Sequence, residues 1–131
     1  MGTVPLLSDT ELTAEAVAVF EEIREARGTE YVNNFWRALA HDPPLLRATW
    51  DRLKAVMAPG ALDPLTKEMV YLAVSAANAC AYCVHSHTAS AKAKGMSEAM
   101  HGELLAVIGM AMQTNALANA LQVEVDDAFK A

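Results

Sequence analysis

The sequence has no stretch in which β-branched residues alternate with polar ones between turn signals, so a sheet is not expected. It has no internal repeat, linker or low-complexity segment, which argues against a multi-domain array. Residues 1–9 lack a basic region and a long apolar run, so no signal peptide is expected. The longest apolar stretch, residues 69–81, is interrupted by Ser75 and Asn78 and is too short to span a bilayer, so no membrane partner is expected. Positive charge is scarce, with 10 Lys and Arg against 16 Asp and Glu and a formal net charge of -6. A phosphate backbone needs clustered Lys and Arg, so a nucleic-acid partner is not expected either. Cysteine is rare too, with only two residues. The chain reads as cytoplasmic, and in a reducing compartment a Cys pair is more often catalytic or metal-binding than a structural staple.

What is present is a chain of 131 residues, enough for one domain, with 53% hydrophobic residues. That apolar share is high for a lone small monomer, so some helix faces should be covered by other subunits. Residues 10–27 read as a helix closed by Gly28, with Val17, Phe20 and Ile23 at helical spacing. Thr29 is read as the cap of a second helix, which carries Trp36 and ends before Pro43. A third helix covers 44–57 and includes Leu46, Trp50 and Leu53, with Pro59-Gly60 as its stop. Asp63-Pro64 opens a fourth, a further helix begins close to Cys80 and stops at Gly95, and Ser97 caps the last, with a break expected near His101-Gly102. The expected fold is all-α, a single-domain bundle of six to seven helices with a core over residues 30–122 and peripheral arms at 1–9 and 123–131.

The chemistry is concentrated in residues 68–87. Cys80 and Cys83 lie three apart, so in the first turn of a helix a disulfide can close between them. His87 follows Cys83 by four residues on the same face, where its imidazole can take the thiol proton. His85 points elsewhere, roughly 160° from Cys83 in projection. In one straight helix Glu68 would stand roughly 18 Å from Cys80 along the axis. A chain reversal at 77–79 would instead bring Glu68 level with His87, because the midpoint between them falls there. Asn78 tolerates the left-handed conformation that such a reversal needs. The same reversal sets Cys80 at a helix N-terminus, which favours the thiolate. The line from Glu68 through His87 to Cys83 then forms a proton relay, with the carboxylate orienting the ring.

The spacing E-x11-C-x2-C-x3-H, met here by Glu68, Cys80, Cys83 and His87, resembles the alkylhydroperoxidase D-like (AhpD-like) branch of the carboxymuconolactone decarboxylase family. Asp63-Pro64 and residues 88–95 also look like that family. The resemblance implies an all-α fold, a dithiol–disulfide cycle and reduction of a small hydroperoxide. It implies an external dithiol or lipoyl-type reductant and no cofactor. It also implies a homo-oligomer, commonly a hexamer built as a trimer of dimers. The family pattern has His between the cysteines where this chain has Tyr82, a poor base at neutral pH that is read as shaping the substrate opening or as packing.

Other readings stand beside this one. The cysteines could be inert small hydrophobes, or zinc ligands with His87 and one of Glu68, His85 or His101, although no second well-spaced ligand pair is present. A lactone decarboxylase of the broader family and a non-catalytic redox-sensing oligomer are the functional alternatives. His41 reads as a residue at a helix C-terminus, and Trp36 and Trp50 as core or interface anchors.

Overall fold

A computed structural model describes residues 2–130. Among them are six α-helices and two 3-10 turns, with no strand. The helices are α1 (Ala14–Arg27), α2 (Asn34–Leu39), α3 (Pro43–Met57), α4 (Pro64–Ala77), α5 (Ala81–Ala93) and α6 (Glu98–Leu121). They fall into two compact units, Met1–Ala58 and Pro59–Ala131.

In the first unit, Phe20 and Ile23 of α1, Trp36 of α2, and Leu46 and Trp50 of α3 form one buried cluster. The two indoles meet edge to face at 5.5 Å, which makes both tryptophans core anchors of this unit. Trp50 Nε1 donates to Glu22, which also accepts from Arg47. Two expectations need correction. Residues 10–13 are not part of α1, because Ser8 and Glu11 close a capping box on a separate 3-10 turn and Thr13 caps the helix. Thr29 does not cap α2, because its N–H closes the end of α1 on Arg24 O and its hydroxyl accepts from Tyr31. Asn33 takes the N-cap position instead. The described part of the arm, residues 2–9, is tied down at Pro5, Leu7 and Asp9. Arg37 donates to Leu7 O and to Asp9, and His41 Nε2 donates to Pro5 O at 2.7 Å.

The second unit carries α4, α5 and α6. Asp63 caps α4 by accepting from the Thr66 N–H, and Ser97 caps α6 in the same way through Met100. Helix α4 turns Leu65, Glu68, Leu72 and Ser75 inward at helical spacing, and of these Glu68, Leu72 and Ser75 are buried. Leu72 packs with Ala91 and Met96, and Leu65, Met69, Val84, Met100 and Leu104 lie against them. Helix α6 runs without the break expected at His101-Gly102, since a single glycine costs a helix only about 1 kcal/mol.

By length and composition α6 is also apolar enough to cross a membrane, contrary to the expectation that no segment is. Residues 104–121 carry no charge, and their hydropathy is spread over many small side chains rather than one continuous apolar run.

The turn between α4 and α5 sets the geometry of this unit. Cys80 N–H donates to Ser75 O and Ala79 N–H to Ala76 O, the paired bonds of a Schellman ending. Its left-handed residue is Ala79, with φ of 54°, while Asn78 stays right-handed at φ -84°. The left-handed region is disfavoured for alanine by about 1 kcal/mol, and glycine escapes that cost. An Ala79→Gly variant should therefore be more stable by about 0.5 kcal/mol, once the extra freedom of its unfolded chain is set against the relieved strain. Urea denaturation would measure the change, and a loss of stability would contradict this account of the turn.

Candidate functional site

The reversal at 78–80 makes α4 and α5 an antiparallel pair and leaves Cys80 as the N-cap of α5. Its φ and ψ of -86° and 90° are non-helical, as an N-cap requires, and its Sγ accepts from the Cys83 N–H at 3.3 Å. Cys83 falls in the first turn. The two cysteines are joined as a disulfide with their Cα atoms 5.3 Å apart. The sulfur pair thus sits where unpaired helix N–H groups favour negative charge.

The antiparallel pairing brings Glu68 and His87 together. The Nδ1–Oε2 distance is 2.7 Å, with the carboxylate side chain 7% exposed and the imidazole 17%. The other carboxylate oxygen, Oε1, accepts from Lys94 Nζ at 3.1 Å. Burial by itself would push the Glu68 carboxyl up. The hydrogen bonds from His87 and Lys94 and their charges outweigh it, so the group stays below the ordinary carboxylate value. An ionised carboxylate can only accept, so His87 Nδ1 carries the proton and donates. Nε2 is then the ring nitrogen left with a lone pair. The face of the His87 ring stacks on Tyr71 of α4, with centroids 3.7 Å apart and planes 20° apart. Contact on one edge and one face leaves the imidazole little freedom to turn.

Of the residues named from the sequence, Glu68 and His87 are in contact and Cys80 is bonded to Cys83. His87 stands one turn beyond Cys83 on the same helix. Tyr82, between the cysteines, is 44% exposed. His85 is exposed on α5, and His101 lies in α6, where its charge acts on Glu98. His41 belongs to the first unit, away from these residues in the chain. Two residues were missed. Tyr71 lies one turn after Glu68, so it flanks the imidazole once the helices run antiparallel. Lys94, the C-cap of α5, follows His87 by seven residues, two turns along the same face.

The sequence profile of the carboxymuconolactone decarboxylase family matches residues 43–124, more than half of the chain. The chain is 42% identical over 71 residues to alkyl hydroperoxide reductase AhpD from Solibacter usitatus (strain Ellin6076), a match that covers 54% of this chain and 38% of that protein. The match therefore spans well under half the length of that curated relative. A solved structure, the alkylhydroperoxidase AhpD core from Rhodospirillum rubrum ATCC 11170, is 59% identical, with a TM-score of 0.97 over 100% of this chain and 98% of that one. The helical fold with its cysteine pair at a helix start is thus the fold of the AhpD core. The chain belongs to the carboxymuconolactone decarboxylase family, in its AhpD-like branch.

Proposed function

We propose that this protein is an alkylhydroperoxidase-type oxidoreductase that reduces a small organic hydroperoxide with the Cys80–Cys83 dithiol. The observation that carries the reading is the hydrogen bond from His87 to the buried Glu68 carboxylate, made on the helix that begins with the cysteine pair. The names of its relatives, an alkyl hydroperoxide reductase and an alkylhydroperoxidase core, support the same class.

In the proposed cycle His87 Nε2 takes the proton of the Cys83 thiol. The thiolate attacks the terminal peroxide oxygen, the O–O bond breaks, and Cys83 becomes a sulfenic acid. The leaving alkoxide collects the proton from His87 and departs as an alcohol. Cys80, whose charge the helix N-terminus favours, passes its thiol proton to His87 and attacks the Cys83 sulfur; the disulfide forms, and the leaving hydroxide takes that proton as water. Two thiols are oxidised and one peroxide is reduced. An external dithiol, of lipoyl type or similar, then reopens the disulfide by exchange. Glu68 holds the ring in the tautomer that keeps Nε2 free and stabilises its charged form. Tyr82 lines the opening through which the peroxide approaches. No resident metal or cofactor enters the cycle, and a cytoplasmic setting would keep the dithiol supply reduced.

The assembly forms part of the same proposal. Leu105, Val107, Met110, Leu117 and Leu121 of α6 are each more than half exposed, and Val70 and Val74 of α4 are as well. So much apolar surface on one chain calls for a cover. Further copies of this chain, arranged as a trimer of dimers, would supply it.

Three outcomes follow. Mixing the reduced protein with an alkyl hydroperoxide should form the Cys80–Cys83 disulfide faster than a free thiol is oxidised, Cys83→Ser should abolish this, and Glu68→Gln should slow it roughly tenfold or more. Mass spectrometry of trapped thiols would check all of this. Turnover of carboxymuconolactone by a Cys80→Ser variant would turn the reading towards a decarboxylase, and a Cys83→Ser protein with all measurable function intact would turn it towards a redox-sensing oligomer.

The second outcome concerns stability. The folded-state pKa of Glu68 is depressed, so its stabilisation is complete above the ordinary value of 4.5 and is lost as pH falls through the lower folded value. Urea denaturation should show the advantage of the wild type over Glu68→Gln shrinking as pH falls below 4.5. An advantage that grows as pH falls below 4.5 would contradict the assignment. The third outcome is a hexamer by analytical ultracentrifugation, with a monomer at all concentrations contradicting the proposed assembly.

A further inference from the structure

Lys94 is the C-cap residue of α5, a place where any lysine is favoured by the helix dipole. Its ammonium reaches past the helix end, however, to Glu68 Oε1 at 3.1 Å. The contrast with Lys92 is informative. Lys92 pairs with Glu98, whose side chain is 83% exposed, the kind of surface pair that contributes little. The carboxylate held by Lys94 is 7% exposed. Each oxygen of Glu68 therefore has one donor, Oε2 from His87 and Oε1 from Lys94.

We propose that Lys94 is a positioning residue for the proton relay, clamping Glu68 Oε1 so that Oε2 remains a pure acceptor for His87 Nδ1–H. The proposal rests on the dithiol reading above and assigns a role to a residue outside the Glu–Cys–Cys–His pattern. Without the clamp, Oε1 is an acceptor in a largely buried place with its charged partner gone. The Glu68–His87 pair, now short of one positive charge, then takes up a proton at a higher pH, and that proton settles on the stronger base, the imidazole, at Nε2. A protonated Nε2 cannot receive the thiol proton.

The groups that act on this carboxyl are His87 and Lys94, both from α5. Helix α6 packs on α4 and brings the apolar Met100 and Leu104 to the neighbouring cluster. The titratable side chains of α6 are His101, Glu103 and Glu98, the last of which pairs with Lys92, and the charges that act on the Glu68 carboxyl are those of His87 and Lys94. Loss of Lys94 thus removes the ammonium that answers Oε1 and leaves the bond from His87 to Oε2.

The test uses the full chain, reduced, as wild type, Lys94→Met and Lys94→Arg. The first readout is the rate of disulfide formation driven by tert-butyl hydroperoxide as a function of pH. Lys94→Met should displace the acidic limb to higher pH and lower the neutral rate about three- to tenfold, and Lys94→Arg should restore both. The second readout needs no activity. The 15N chemical shifts of the His87 ring report which nitrogen carries the proton. In Lys94→Met protonation of Nε2 should appear on acidification at higher pH than in the wild type, with Lys94→Arg again reverting it. An unchanged acidic limb together with an unchanged profile of Nε2 protonation in Lys94→Met overturns the proposal. Should the wild type itself fail to react with peroxide, the dithiol reading falls while the ring-nitrogen measurement still decides the role of Lys94. Circular dichroism on each variant separates a lost clamp from a lost fold, and Lys94→Gln, which also removes the charge, replaces Lys94→Met if that variant does not fold.

Discussion

A carboxylate with 7% of its side chain exposed is tolerable only if its charge is answered where it lies, and in this protein the answer comes from the neighbouring helix. Glu68 occupies a position on α4 that the helical spacing assigns to the apolar interior, with Leu72 one turn on and Ser75 beyond it. Two donors on α5, His87 and Lys94, meet its two oxygens. That requirement fixes the register of the antiparallel pair, because a slip of one turn would leave the acid without partners. It also binds the chemistry to the fold, since the helix that supplies the imidazole is the one whose first turn holds the sulfurs.

Everything in the second unit then depends on a short reversal. The Schellman bonds from Ala79 and Cys80 end α4, and the next residue pair begins α5 with a sulfur in the capping place. The apolar contacts of Leu72 with Ala91 and Met96 close the middle of the hairpin, and α6 covers it through Met100 and Leu104. Burying a side chain such as Leu72 stabilises by about 2 kcal/mol, and removing a partner from a buried ion costs as much or more. Packing and electrostatics thus favour the same register.

Much of this was legible in the sequence because it is written as spacing. Glu68 and His87 are equidistant from the turn, and Cys83 and His87 are one helical turn apart, so a reversal at 78 was enough to unite them. Asp63 and Ser97 announced their helices by side-chain chemistry alone. Other features carry no such mark. Ala79 adopts a conformation that alanine rarely adopts, and Asn78 beside it was the more plausible choice. Thr29 looks like a cap but is consumed by the end of the preceding helix. Gly102 looks like a break, but it falls within the first turns of a long helix that continues through it. Lys94 lies next to the glycine that ends α5, where it reads as a boundary residue, and only the coordinates show that its ammonium turns back to the buried acid.

The relay and a bare electrostatic effect make opposite statements about the sulfurs. If Glu68 acts through the ring, its removal weakens the imidazole as a proton acceptor and the Cys83 thiolate becomes harder to form. If Glu68 acts only as a nearby negative charge, its removal makes that thiolate easier to form. The decisive measurement is the pH at which the Cys83 thiolate appears in the reduced protein, followed by its ultraviolet absorbance in a Cys80→Ser background with and without Glu68→Gln. The account predicts that the substitution moves thiolate formation to higher pH. A thiolate that appears at the same or a lower pH would contradict it.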